Sequence, residues 1–133
     1  MNSPRHLQHL PYISVNNYDQ KDGHFARTSD AKALSIGRSQ YDESEISLKV
    51  WRHSGKRWSR QSEELPLHRN LDLNILLIQS LIMCNKPSSE LISNVTIDSE
   101  SAIKSIKMYF DQHEKHLIPR LNNLRSLLTQ LLD

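Results

Sequence analysis

Glycine and cysteine are scarce in this 133-residue chain, with three of the first and one of the second. Gly23, Gly37 and Gly55 stand far apart, so no glycine-rich loop exists to cradle a phosphate and no dinucleotide fingerprint is present. P-loop and Rossmann chemistry are thereby disfavoured. The lone Cys84 has no partner for an intramolecular disulfide, and its apolar context reads as a buried thiol in a reducing compartment. Ser59 and Ser62 lack the glycine-framed elbow of a serine nucleophile, and no His or Cys spacing of a zinc site occurs. Long apolar runs are missing too. The most apolar stretch, residues 71–84, is interrupted by Asp72, Asn74, Gln79 and Ser80 and is too short and polar to span a bilayer. The opening residues, broken by Pro4 and Pro11, lack the apolar centre of a secretory signal. The expectation is a cytoplasmic protein with no membrane partner and no cofactor. Net charge is only +2, so any attraction for phosphate must come from local clustering of cations.

Such a cluster is present. Residues 49–82 hold Lys49, Arg52, Lys56, Arg57 and Arg60 together with both tryptophans, Trp51 and Trp58, and then pass through Glu63, Glu64, Leu65 and Pro66 into the apolar stretch. Ser62 with Glu63 and Glu64 reads as a helix start, Pro66 being tolerated in a first turn. Leu67, Leu71, Ile75, Ile78 and Ile82 then follow at helical spacing, with a second apolar set on the opposite side. A small chain covers such a helix most economically by self-association. Asp98, Ser99 and Glu100 start a further helix, with Ile103, Ile106, Tyr109, Phe110 and His113 on one face. Pro119 breaks or kinks the pattern before a terminal amphipathic helix carrying Leu121, Leu124, Leu128 and Leu131.

Upstream, Asp42 and Glu45 resemble a capping box and predict a helix carrying Ile46 and Val50. Ile46, Leu48 and Val50 also alternate, and Ser54 with Gly55 offers a hairpin turn. A hairpin would put Lys49, Trp51 and His53 on one face; a helix would group Lys49, Arg52 and His53. Residues 1–28 read as an extended arm and 29–133 as one domain. The expected fold is mainly α, a small bundle of about four helices with an extended N-terminal arm; the alternative is α+β with a β-hairpin at 46–61.

Arg and Lys donate to phosphate, Arg through a bidentate fork, and an indole offers a stacking face for a base. The candidate ligand-binding residues are therefore Trp51, Arg52, Lys56, Arg57, Trp58, Arg60, Gln61, His68 and Arg69. Glu64, His68 and Asp72, four apart, would share a helix face and form a weaker candidate metal or acid–base set. A network in which those carboxylates orient Arg60 and Arg69 explains the same spacing. The expected function is that of a non-enzymatic oligomer binding a phosphorylated, nucleotide-derived small ligand, with signal sequestration in phage or bacterial defence as its use. The rival readings are a nucleic-acid-binding regulator, a metal-assisted hydrolase and a structural adaptor.

Overall fold

A computed structural model describes residues 1–2, 9–59, 63–85 and 96–133. Its described elements are β1 (Leu10–Asn16), β2 (Ala31–Arg38), β3 (Ile46–Arg52), β4 (Glu64–Pro66), α1 (Leu67–Asn85), α2 (Glu100–Gln112) and α3 (Glu114–Leu132), with two short 3-10 turns between β1 and β2. The strands form one antiparallel sheet in the order β1, β2, β3, β4. The protein is therefore α+β, and the expected four-helix bundle is overturned by this sheet. The chain divides into two compact units, Met1–Asn74 and Ile75–Asp133, with the boundary inside α1.

The correction has a local physical reason. Asp42 was expected to cap a helix, but its carboxylate accepts from the Ser44 amide at 2.9 Å and the Ser44 hydroxyl at 2.7 Å, and the Glu45 amide donates to the Asp42 carbonyl at 3.0 Å. The same side-chain chemistry that caps a helix closes an Asx turn here, and it joins β2 to β3. Downstream, Ile46, Leu48 and Val50 follow the period of a strand because partners exist for them: Leu48 lies opposite Ile36 and Leu65, and Val50 opposite Leu34. Residues 53–58 continue toward a hairpin, with a turn at Ser54 and Gly55 (φ +97) and a single bridge between His53 and Trp58. The α+β alternative with a hairpin is thus the nearer expectation.

The helix expected from Ser62 begins at Leu67. Glu64, Leu65 and Pro66 instead pair with Lys49, Leu48 and Ser47, and the Val50 amide donates to the Glu63 carbonyl at 2.9 Å. Pro66 suits an edge strand because its missing N–H is not needed there. In the second unit, Ser99 caps α2 by accepting from the Ala102 amide at 3.1 Å. The break between α2 and α3 falls at His113, and Pro119 lies inside α3.

The two faces of the sheet invert the usual pattern. Ala31, Ala33, Ser35, Ser47, Lys49 and Trp51 are buried on one face. Ile13, Leu34, Ile36, Leu48, Val50 and Leu65 are on the other, where they line an open groove of about 350 Å³. Among the described residues the buried apolar side chains are Pro11, Ala31, Ala33 and Trp51, and no residue of α1, α2 or α3 is buried. No helix of the described residues is long and apolar enough to cross a membrane.

Candidate functional site

The buried face of the sheet gathers the buried polar side chains His9, Ser35, Ser47 and Lys49. Period-two alternation sends Ser47, Lys49 and Trp51 of β3 to the same side as Ser35 of β2. Glu64, paired with Lys49 across β3 and β4, turns its carboxylate to that side, and His9, just before β1, enters from the opposite edge. His9 and the Glu64 side chain are fully buried, and the Lys49 side chain is 4% exposed. The Lys49 ammonium lies 3.7 Å from Glu64 Oε1 and 4.4 Å from the centre of the Trp51 ring, so an ion pair and a cation–π contact share one cation. Burial pushes the Lys49 ammonium below its ordinary range, opposed by the Glu64 charge.

Hydrogen bonds run through this cluster in a single direction. The Trp51 indole can only donate, and it donates to Ser35 Oγ at 2.8 Å. Glu64 Oε2 accepts from the Ser47 hydroxyl at 3.1 Å, the Ser39 hydroxyl at 3.3 Å and the Gln40 amide at 3.1 Å. Between these ends, His9 Nε2 is 3.0 Å from Ser35 Oγ and His9 Nδ1 is 2.9 Å from Ser47 Oγ. Because the Ser47 proton goes to Glu64, Nδ1 must carry the imidazole hydrogen; Nε2 is then the acceptor for the Ser35 proton. The relay from Trp51 through Ser35, His9 and Ser47 to Glu64 thus fixes the tautomer of His9. Burial lowers the His9 pKa from its ordinary value, with the Glu64 charge opposing and the Lys49 charge reinforcing that shift, so the neutral ring is favoured.

Ser35, His9 and Glu64 also stand in the order of a hydroxyl, imidazole and carboxylate triad, with His9 Nδ1 3.5 Å from Glu64 Oε1. Access decides against catalysis in this state. Ser35 is 6% exposed and its oxygen already receives the Trp51 N–H, which leaves no approach for a substrate carbonyl.

Most of the residues chosen for ligand binding lie on and around the turn that follows β3. Lys56 and Arg57 are exposed at its tip. Trp58 is half-buried, its ring edge-on to Trp51 at 5.9 Å and to His53 at 5.0 Å. The Gly55 amide donates to His53 Nδ1 at 2.9 Å, which leaves the hydrogen on Nε2. Trp51 itself is fully buried, and its ring faces Lys49, His9 and Trp58. Arg52 grips Glu63 through contacts of 2.6 to 3.2 Å and Asp30 at 2.6 Å. These bonds raise its guanidinium pKa and lower that of Glu63. His68 and Arg69 are exposed in the first turn of α1, and Arg60 and Gln61 lie outside the described residues. Glu64, His68 and Asp72 are not brought together: Glu64 is held in β4, whereas the other two are exposed on α1. No group of three or more metal-ligating side chains occurs among the described residues.

His9, Ser35, Ser39 and Ser47 escaped the sequence reading because each is an ordinary polar residue without a motif. One signal existed. Read as a strand, residues 47–53 place Ser47, Lys49, Trp51 and His53 on one side, an unusual set for a solvent-facing stripe. Residues 1–88 match DUF6530, a family of unknown function, and the chain belongs to that family. No curated protein and no solved structure matches it.

Proposed function

For this member of DUF6530, we propose a non-enzymatic binding role in which the turn after β3 holds a phosphorylated, nucleotide-derived ligand. The observation that carries this reading is the pairing of two exposed cations, Lys56 and Arg57, with the half-buried Trp58. Neither cation has an ion-pair partner among the described residues, so both are available to an anion. Arg52, engaged by Glu63 and Asp30, holds the base of the turn instead of reaching a ligand. A phosphate would be met by Lys56 and Arg57, and a base by the accessible part of the Trp58 ring.

Isothermal titration against nucleoside mono- and diphosphates, cyclic dinucleotides and ADP-ribose tests the reading. Binding by at least one, weakened tenfold or more in the Lys56→Ala, Arg57→Ala double variant, is the expected result. Absence of binding across the panel overturns it. Tight binding to unrelated oligonucleotides, with affinity falling steeply as salt rises, would favour the nucleic-acid reading.

Self-association is supported by a separate observation. The helices bury no residue, while Ile78, Leu81, Phe110 and Leu121 in the second unit line an open groove of about 410 Å³. An apolar lining left open in a unit this small is most economically closed by a second copy. Sedimentation should detect an oligomer that Ile78→Asp dissociates; a wild-type monomer at all concentrations would refute this.

A further inference from the structure

We propose that the relay from Trp51 to Glu64 is an acid-sensitive latch, with His9 as the moving part, that ties the root of β1 to the rest of the sheet. The argument starts from bond direction. With the hydrogen on Nδ1, His9 accepts the Ser35 proton at Nε2, and both hydroxyls of the relay, Ser35 and Ser47, pass their protons in the same direction. A second proton arriving at Nε2 makes that nitrogen a donor. Ser35 Oγ then faces two N–H groups, and its own proton loses its described acceptor. At the same time a fully buried imidazolium is placed beside the Lys49 ammonium, with Glu64 as the one carboxylate among the described residues that pairs with both.

The groups facing His9 come from every strand around it: Ser35 from β2, Ser47, Lys49 and Trp51 from β3, and Glu64 from β4. Of these groups Glu64 alone carries the opposite charge, and it is already shared with Lys49. The inexpensive escape is for His9 to leave the network, since it lies one residue before β1. Leu10 and Pro11, next in the chain, are held against Arg38 and Gly37 of β2, so withdrawal of His9 loosens the strand at its root. Once released, the imidazole regains its ordinary affinity for protons. Each unit of pH below that ordinary value therefore favours the open form by up to tenfold, until the closed form also protonates.

The test uses the full chain labelled with nitrogen-15. At pH 7.5 the His9 side-chain shifts should identify a neutral ring with its hydrogen on Nδ1. On acidification, the Trp51 indole resonance should follow the His9 titration with the same midpoint. Hydrogen-exchange protection of residues 10–16 should fall by up to about tenfold per pH unit in the same window. In His9→Gln, which cannot take the proton, that pH dependence should vanish. A hydrogen on Nε2 at pH 7.5, a Trp51 resonance indifferent to His9, or an unchanged acid response in His9→Gln would each overturn the proposal. A His9 that remains neutral to pH 4 would do the same.

Discussion

Removing the Glu64 carboxylate should be among the most damaging single changes available in this protein, and its cost can be worked from the local structure. In Glu64→Ala the Lys49 side chain, 4% exposed, keeps its place beside the Trp51 ring but loses the carboxylate 3.7 Å away. Leaving one buried charge of a pair uncompensated costs about 3–5 kcal/mol. Neutralising the lysine offers an alternative, but shedding its proton at pH 7 costs about 4.6 kcal/mol, at 1.36 kcal/mol per pKa unit from an ordinary value near 10.4. The two routes agree in size, so neither offers relief. The Ser39 and Ser47 hydroxyls and the Gln40 amide also lose their acceptor, adding about 1 kcal/mol for each donor that water does not reach. Against a total stability of about 5–15 kcal/mol for a domain, the variant should be largely unfolded or close to it.

Replacing both charges, Lys49→Met with Glu64→Leu, removes the orphaned ammonium and should restore about 2 kcal/mol or more relative to Glu64→Ala, because apolar replacements of buried pairs are often near neutral. Urea unfolding followed by tryptophan fluorescence measures this, with equal m-values required before midpoints are compared. A loss below about 1 kcal/mol in Glu64→Ala, or a double variant no more stable than the single, would show that the buried pair does not govern this sheet.

Gly37→Ala should destabilise the protein by about 2–3 kcal/mol, at the upper end of overpacking costs; a methyl there would strike the Leu10 carbonyl oxygen and stand 2.9 Å from Pro11 Cα, both backbone atoms. Differential scanning calorimetry provides the check, and an unchanged melting temperature would contradict the tight approach of β1 to β2. The depressed pKa of His9 means that the unfolded chain binds more protons than the folded one as pH falls through the ordinary imidazole value near 6.5. Its contribution is therefore present above that value and lost below it, with a slope of at most about 1.4 kcal/mol per pH unit, measurable from urea midpoints between pH 7.5 and 5 and absent in His9→Gln. Arg52→Ala should cost only about 1 kcal/mol despite its short contacts, since Arg52, Asp30 and Glu63 are 37%, 55% and 53% exposed at their side chains and water screens them. A loss above about 3 kcal/mol would show that the turn after β3 depends on that clamp.

Local signals marked some elements well. Ser99 caps α2 because capping needs only a hydroxyl and an amide three residues on, and both are adjacent in the chain. The continuous apolar spacing after Leu67 specifies α1 for the same reason, since each turn satisfies its own backbone. Asp42 shows where such local reasoning stops. Its carboxylate does the same thing at a helix start and in an Asx turn, so the residue alone does not choose between them. Glu64 shows the complementary case: four residues before His68 it fits a helical face, but three residues of pairing with β3 draw it into a strand.

The sequence by itself determined the scarcity of catalytic motifs, the helical C-terminal half and the gathering of cations and indoles around residues 49–60, all of which depend on neighbours within a few positions. Tertiary structure decided the sheet, because strand pairing joins residues as far apart as Leu10 and Arg38. It also decided which side chains form the polar cluster. His9, Ser35, Lys49 and Glu64 come from separate parts of the chain, and only their common burial turns ordinary polar residues into a directed relay.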